Sequence, residues 1–331
     1  MSDPAVTTHP PGATDRPSRV LVVDGVGPIV TVQDLGRIGL ARLGVSRAGA
    51  ADRASSARAN RLVGNTARAA ALEVLLGGLM VRSGAEHLVV ALTGADCPLT
   101  LDGRPAAAGA VLDLPPGSRL TLGTASAGLR AYLAVRGGIV VPPVLGSRSR
   151  DTLAGLGPPG IRAGDELPVG PSAPYSSADV GSWPLLDQLP LPALPAADGE
   201  VVLRAVPGPR LAELPAESAD RLWDQVWSVS PDSDRVGVRL TGARPLRTRS
   251  AGGWPSDPLL RGAVQVPPGG EPVVFLADHP VTGGYPVVAV VLDADTDLLA
   301  QARPGARVRL RRVTLGGPSR HPDLRCPWWG W

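Results

Sequence analysis

Apolar residues along this chain gather in short runs closed by Gly or Pro. LTLG at 120–123, RAYLAV at 130–135, GIVVPPVLG at 138–146, VQV at 264–266, PVVFLA at 272–277 and PVVAVVL at 286–292 all have this form. Runs so short, rich in β-branched residues and punctuated by turn formers, predict strands. Many short strands of this kind build barrels or sandwiches. One unit recurs. Pro-Gly-Ser-Arg-Leu-Thr-Leu at 116–122, Ala-Gly-Asp-Glu-Leu-Pro-Val at 163–169 and Pro-Gly-Ala-Arg-Val-Arg-Leu at 304–310 each read as a tight turn feeding a strand. The last two copies close the two halves of the chain, which points to two related barrel-like domains. The copies are too short to establish a duplication.

Helical periodicity is sparse. Asp52 to Leu62 predicts a helix with Asp52 as N-cap and Gly64 just past its end. A second runs from Asp295 to Ala302 and is stopped by Pro304-Gly305. A third is expected around Pro215 to Trp227, with Leu222, Trp223 and Val226 facing inward. The fold class expected is therefore mainly β with a few short helices. Residues 1–18 are polar and Pro-rich, and read as a disordered tail. Residues 171–200, rich in Pro, Ser and Ala, read as a linker between a first barrel at 19–170 and a second at 201–312. The tail at 313–331 is irregular, and Trp328, Trp329 and Trp331 are odd there unless they dock on a surface.

Composition narrows the chemistry. With 44% hydrophobic but 3% aromatic residues, and one Phe in 331, the core must be built from Val, Leu, Ile and Ala. The 33 basic residues are all arginine. That excludes a Schiff-base lysine, the phosphate-binding lysine of a nucleotide loop and a lysine for attaching biotin or lipoate. A formal charge of +3 carried on scattered arginines gives nucleic-acid binding no support. Cys97 and Cys326 lie far apart and suggest no disulfide framework, and His9, His87, His279 and His321 have no ligand spacing, so no dedicated zinc site is expected. The start of the chain lacks a secretory signal, and no stretch reaches the roughly 18–20 apolar residues of a membrane span, so a cytoplasmic protein without a membrane partner is expected.

One long pattern is more specific. Gln33-Asp34-Leu35-Gly36-Arg37, Gly44-Val45, Gly49-Ala50, Asp52 and Ala59-Asn60-Arg61-Leu62-Val63-Gly64-Asn65 are followed in order by Leu72-Glu73 and Leu92-Thr93-Gly94-Ala95-Asp96. Further on come Ala131 to Gly138, Leu145-Gly146-Ser147-Arg148-Ser149, Pro207-Gly208-Pro209, Ser233-Asp234-Arg235, Arg239-Leu240, Gly262 to Pro267 and ADHPVTGGYP at 277–286. This series resembles the biotin-dependent carboxyltransferase family, also called the allophanate hydrolase subunit 2 family, over roughly residues 20 to 312. The chain departs from the usual pattern at Ala51, where the family often has Met, and at Val281, where it often has Thr.

The resemblance implies two cyclophilin-like β-barrel subdomains. It also implies work beside a KipI-like partner, the B (or 1) subunit, and, in the 5-oxoprolinase version of the family, a homologue of the A subunit. Such an assembly opens a small lactam, 5-oxoproline, to glutamate with ATP. ATP would be bound on another subunit or at an unusual site, since no Walker loop is present, and no covalent biotin is expected here. Two alternatives stay open: half of a carboxyltransferase of the urea carboxylase kind, acting on an amide, and a regulator that binds an inhibitor of a histidine kinase. The absence of a fused biotin carboxylase or carrier segment favours the first reading.

Within the matched segments the catalytic candidates are Asp52, Asp278 and Tyr285. The substrate-binding candidates are Gln33, Asp34, Arg37, Asn60, Asn65, Asp96, Asp234, Arg235, Gln265, Thr282, Gly283 and Gly284. Each has a structural reading beside the functional one. Asp34 and Arg37 form an ion pair pinning a loop, or contact a ligand. Asn65 follows the Gly64 cap as a turn residue, whereas Asn60 sits mid-helix, where Asn is disfavoured without a specific partner. Asp96 caps a turn, and Asp234-Arg235 is equally a structural pair. His279 before Pro280 reads as a turn residue or an acid–base group. Gly283-Gly284 supply positive φ in a tight turn, or open the backbone to a ligand. On the functional reading ADHPVTGGYP is a ligand-facing turn at the mouth of the second barrel, opposite VQDLGR and the helix bearing Asp52 and Asn60. No Ser occupies a nucleophile elbow and Cys97 has no motif histidine near it, so no activated nucleophile is expected and the chain alone should be inactive.

Overall fold

The computed structural model describes residues 18–171, 194, 199–250 and 254–314. The expected N-terminal tail, most of the expected linker and the Trp-rich C-terminal segment lie outside the described residues. The chain divides into two units. The first takes residues up to Arg37, Arg53–Arg150 and Leu156–Ala193; the second takes Ile38–Asp52, Asp151–Gly155 and Leu194 onward. Two short pieces from the N-terminal half, 38–52 and 151–155, thus belong with the second unit.

The first unit contains β1 (Val20–Gly25), β2 (Ile29–Gln33), β3 (Ala71–Leu75), β4 (Met80–Ser83), β5 (Leu88–Asp96), β6 (Leu99–Leu101), β7 (Arg104–Ala106), β8 (Val111–Leu114), β9 (Arg119–Leu122), β10 (Ala127–Val135) and β11 (Glu166–Pro168). They form a six-stranded sheet, β11-β1-β4-β9-β6-β7, and a five-stranded sheet, β2-β3-β10-β5-β8. Leu21 and Val23 of β1, Val30 and Val32 of β2, and Leu120 and Leu122 of β9 meet in one aliphatic core, so the two sheets enclose a single interior. Helix α1 (Arg53–Leu62) packs on β5 and β10. It starts directly after Asp52 and ends before Gly64, whose φ of 72° is the left-handed conformation that stops a helix.

The second unit contains β12 (Glu200–Pro207), α2 (Ala216–Asp224), β13 (Trp227–Val229), β14 (Gly237–Thr241), β15 (Asp257–Pro258), β16 (Ala263–Gln265), β17 (Val273–Phe275), β18 (Thr282–Gly283), β19 (Val287–Val291), α3 (Asp293–Leu299) and β20 (Arg307–Arg312). Seven strands close into a barrel in the order β12-β19-β16-β17-β14-β13-β20, and the parallel pairing of β12 with β20 completes the ring. Alternation along β12 sends Val201, Leu203 and Ala205 inward, where they meet Trp227, Val264, Val288 and Leu310. Trp227 is fully buried, and its indole N–H donates to the Leu222 carbonyl at 3.3 Å.

The fold is mainly β, as the runs predict. In all three copies of the recurrent turn the glycine has positive φ: 79° at Gly117, 91° at Gly164 and 86° at Gly305. GIVVPPVLG departs from expectation. It makes only isolated bridges, Ile139 with Val169 and Val144 with Ser147, because Pro142 and Pro143 have no N–H to give a ladder. Helix α3 begins at Asp293, two residues before the sequence signal, and ends at Leu299. Helix α2 ends at Asp224, so Trp227 opens a strand and Val226 is only half-buried. No helix among the described residues is long and apolar enough to cross a membrane.

Candidate functional site

In the first unit the residues singled out at the end of β2 converge on the segment 144–150. Asp34 Oδ1 accepts from the Ser147 and Ser149 hydroxyls at 2.6 Å each and from the Gly36 N–H, while Oδ2 accepts from the Arg148 N–H at 2.7 Å. Arg37, 2% exposed, donates to the carbonyls of Val144 and Ser149. Gln33 Nε2 donates to Thr31 Oγ1 and to the Arg150 carbonyl, and its buried Oε1 has no hydrogen-bond partner. Asp34 and Arg37 therefore pin the same loop, Asp34 through its serine hydroxyls and the Arg148 N–H and Arg37 through its backbone carbonyls.

The two asparagines are one structural device. Asn60 Nδ2 donates to the Ala69 carbonyl, and Asn60 Oδ1 accepts from Asn65 Nδ2 at 3.0 Å. Asn65 also donates to the Val135 carbonyl and accepts from the Gly137 N–H, both at 2.8 Å. The pair fastens the last turn of α1 to the end of β10, which explains an Asn inside the helix. Asp96, exposed at the end of β5, accepts from the Ser126 hydroxyl at 2.5 Å.

In the second unit ADHPVTGGYP follows β17 and is held from several sides. Asp278 is fully buried. Its Oδ2 accepts from the Thr152 N–H at 2.9 Å, the Thr152 hydroxyl at 2.7 Å and Arg235 Nε at 3.0 Å; its Oδ1 accepts from Arg235 Nη2 at 3.0 Å. Arg235 Nη2 also donates to the Gly49 carbonyl at 2.6 Å. One buried ion pair thus joins residues from three stretches of the chain. Asp234 faces solvent and closes an Asx turn on the N–H groups of Val236 and Gly237. Asp52, 4% exposed, accepts from Gln301 Nε2 at 2.7 Å. His279 Nδ1 bonds the Pro280 carbonyl at 2.8 Å, the contact of a turn residue.

Of the two glycines, Gly283 is closely approached and Gly284 faces open space. Neither Gly283 nor Gly284 has positive φ, so the expectation of a left-handed turn there is not met, and at Gly283 close approach takes its place. A Cβ on Gly283 would stand 2.7 Å from Gln265 Nε2 and 2.8 Å from Leu259 Cδ1. That tight fit lets the buried Gln265 amide reach the Tyr285 carbonyl at 2.8 Å, while β18 pairs with β15. The tip is left outside this clasp: Thr282 and Gly284 are exposed and Tyr285 is 42% exposed.

Beside the tip lies a cavity of about 390 Å³ lined by Ala41, Ser46, Leu153, Ala154, Val281 and Thr282, among others. Its volume falls at the lower end of the range for small-molecule sites, and it is half open to solvent. Of the expected site residues only Thr282 lines it. Ser46, Asp151 and Thr152 were missed, although Ser147 to Thr152 is a run of six polar residues between apolar stretches. Among the described residues, no three His, Cys, Asp or Glu groups converge to hold a metal.

Comparison with known proteins sets these features in a family. Residues 43–312 match the model of the carboxyltransferase domain, subdomain A and B. The chain is 39% identical over 301 residues to the C subunit of 5-oxoprolinase from Escherichia coli strain K12, spanning 89% of this chain and 92% of that protein. It is 34% identical over 290 residues to the 5-oxoprolinase C subunit of Haemophilus influenzae, spanning 86% of this chain and 88% of that protein. Urea amidolyase of Saccharomyces cerevisiae is 33% identical over 299 residues, 86% of this chain but 16% of the yeast protein. Among solved structures, the Kluyveromyces lactis urea amidolyase superposes with a TM-score of 0.79 at 29% identity, over 91% of this chain and 19% of that one. TTHA0988 superposes with a TM-score of 0.75 at 36% identity over 91% of this chain, which spans 57% of that protein. The chain belongs to the family of the carboxyltransferase domain, subdomains A and B.

Proposed function

We propose that this chain is the C subunit of a cytoplasmic, ATP-dependent 5-oxoprolinase that opens the lactam of 5-oxo-L-proline to L-glutamate together with the enzyme's A and B subunits. The observation that carries this reading is the match to nearly the whole length of the Escherichia coli 5-oxoprolinase C subunit. In this reading ATP is bound by a partner, because a chain without lysine has no Walker-type phosphate contact. Without lysine biotin is not attached here, and without an activated nucleophile or a nucleotide loop the chain alone is inactive.

The geometry sorts the catalytic candidates. Asp52 and Asp278 are buried and engaged, which supports a positioning role for both; Tyr285 does not line the cavity but is exposed three residues after Thr282, which supports a role for it in contacting substrate. Arg235 and Gln265 hold the turn, and Thr282, Gly283 and Gly284 form its ligand-facing surface. Asp34, Arg37, Asn60 and Asn65 are assigned to holding loops.

A second reading, the carboxyltransferase half of a urea carboxylase-like enzyme, is favoured by the likeness to urea amidolyases. Affinity purification of the tagged chain from its native cell separates the two. Co-purification of A- and B-subunit homologues is expected. Recovery of a biotin carboxylase and biotin carrier in their place would overturn the proposal.

A further inference from the structure

The tightest polar contact at the cavity involves two residues outside the expected set. The Ser46 hydroxyl donates to Asp151 Oδ2 at 2.5 Å. Asp151 is fully buried, and its Oδ1 accepts the N–H groups of Leu153 at 3.0 Å and Ala154 at 2.9 Å. Among the described residues its hydrogen-bond donors are a hydroxyl and two backbone N–H groups, so a buried carboxylate with no guanidinium among its hydrogen-bond partners sits behind Ser46. Ser46, 5% exposed, lines the cavity.

A hydroxyl has one proton to donate and two lone pairs to accept with. Asp151 takes the proton and fixes the rotor, so Ser46 offers a ligand only lone pairs, made more basic by the carboxylate behind them. Such a group takes an N–H and repels an anion at the same point. Leu153 and Val281 give apolar wall for ring or chain carbons, and Thr282 adds a hydroxyl.

We propose that Ser46, oriented by Asp151, is the acceptor for the amide N–H of the substrate, making this cavity specific for an unsubstituted lactam or urea-type amide. The assignment rests on the reading of the chain as part of an amide-processing enzyme. Ser46 would contact the ligand; Asp151 would act through it as a positioning residue.

The test is direct binding to the purified full chain, by ligand-observed NMR, of 5-oxoproline, N-methyl-5-oxoproline and urea. Wild type is expected to bind an N–H ligand, and to bind the N-methyl lactam at least about tenfold more weakly than the parent. Ser46→Ala should abolish that preference and Ser46→Thr should keep it. Because Ser46→Ala strips a donor from a buried charge, the double variant Ser46→Ala/Asp151→Asn, with folding checked by circular dichroism, gives the same reading on a neutral background. No binding of either N–H ligand to wild type, or an N–H preference that survives loss of the hydroxyl, overturns the proposal. Failure of the functional reading looks different: Ser46-dependent binding of urea without 5-oxoproline would retire the lactam and leave the N–H acceptor in place.

Discussion

Replacing Asp278 by Asn tests whether this carboxylate holds the turn or reacts. Both of its oxygens accept N–H groups of Arg235, and Oδ2 also takes two donors from Thr152. In Asn, whichever way the amide is turned, its NH₂ faces a guanidinium N–H, so the swap exchanges an attraction for a repulsion. Arg235, 7% exposed, loses the carboxylate that its Nε and Nη2 both meet. Breaking a buried pair in this way costs about 3–5 kcal/mol. At about 2–4 °C per kcal/mol, the figure for domains of roughly 150–250 residues, the melting temperature of the unit that holds the pair should fall by roughly 6–20 °C. Differential scanning calorimetry, with the urea midpoint as a second measure, reads this directly. A variant that melts within about 2 °C of wild type yet gives an inactive complex would refute the reasoning and make Asp278 a reacting group.

Tyr285→Phe should leave stability within about 0.5 kcal/mol, because the side chain is 42% exposed, and lower turnover of the reconstituted complex at least about tenfold; a lowered melting temperature with full activity would remove it from the site. Asn65→Ala deletes bonds to Asn60, Val135 and Gly137 and should cost about 2–4 kcal/mol in urea unfolding, with little change if the asparagine pair is not a clasp. Asp295 is pushed up by burial, but the side chain and backbone N–H of Arg204 outweigh that and hold it below its ordinary value of 3.8. A depressed carboxylate stabilises the fold above its unfolded pKa and loses that contribution as pH falls through the folded one. The stability gap between wild type and Asp295→Asn should therefore be full at pH 7 and shrink below pH 3.8; a gap that widens in acid would reverse the assignment.

The strands were legible because short β-branched runs ending in Gly or Pro have few other ways to bury themselves, and the turn glycines at 117, 164 and 305 could be located from sequence alone. GIVVPPVLG misled because its apolar content outweighed, in the reading, the donors that Pro142 and Pro143 lack. The site was visible only in part. Asn60 stood out as misplaced in a helix, but its partner Asn65 looked like a simple turn residue, since a hydrogen bond across five positions leaves no periodic trace. Asp278 reads from sequence as a catalytic candidate of ADHPVTGGYP, and its partners Arg235 and Thr152 are 43 and 126 residues away, a pairing that only tertiary structure supplies. Ser46 and Asp151 escaped for the same reason: they are 105 residues apart, and each alone is an ordinary polar residue.

The most direct measurement is glutamate formation from 5-oxoproline by purified A- and B-subunit homologues with ATP, with and without this chain. The account predicts turnover coupled to ATP hydrolysis when all three are present, and none by this chain alone. Full turnover by the other two proteins without it, or a complete assembly that leaves 5-oxoproline untouched while carboxylating urea from a biotin carrier, would contradict the account.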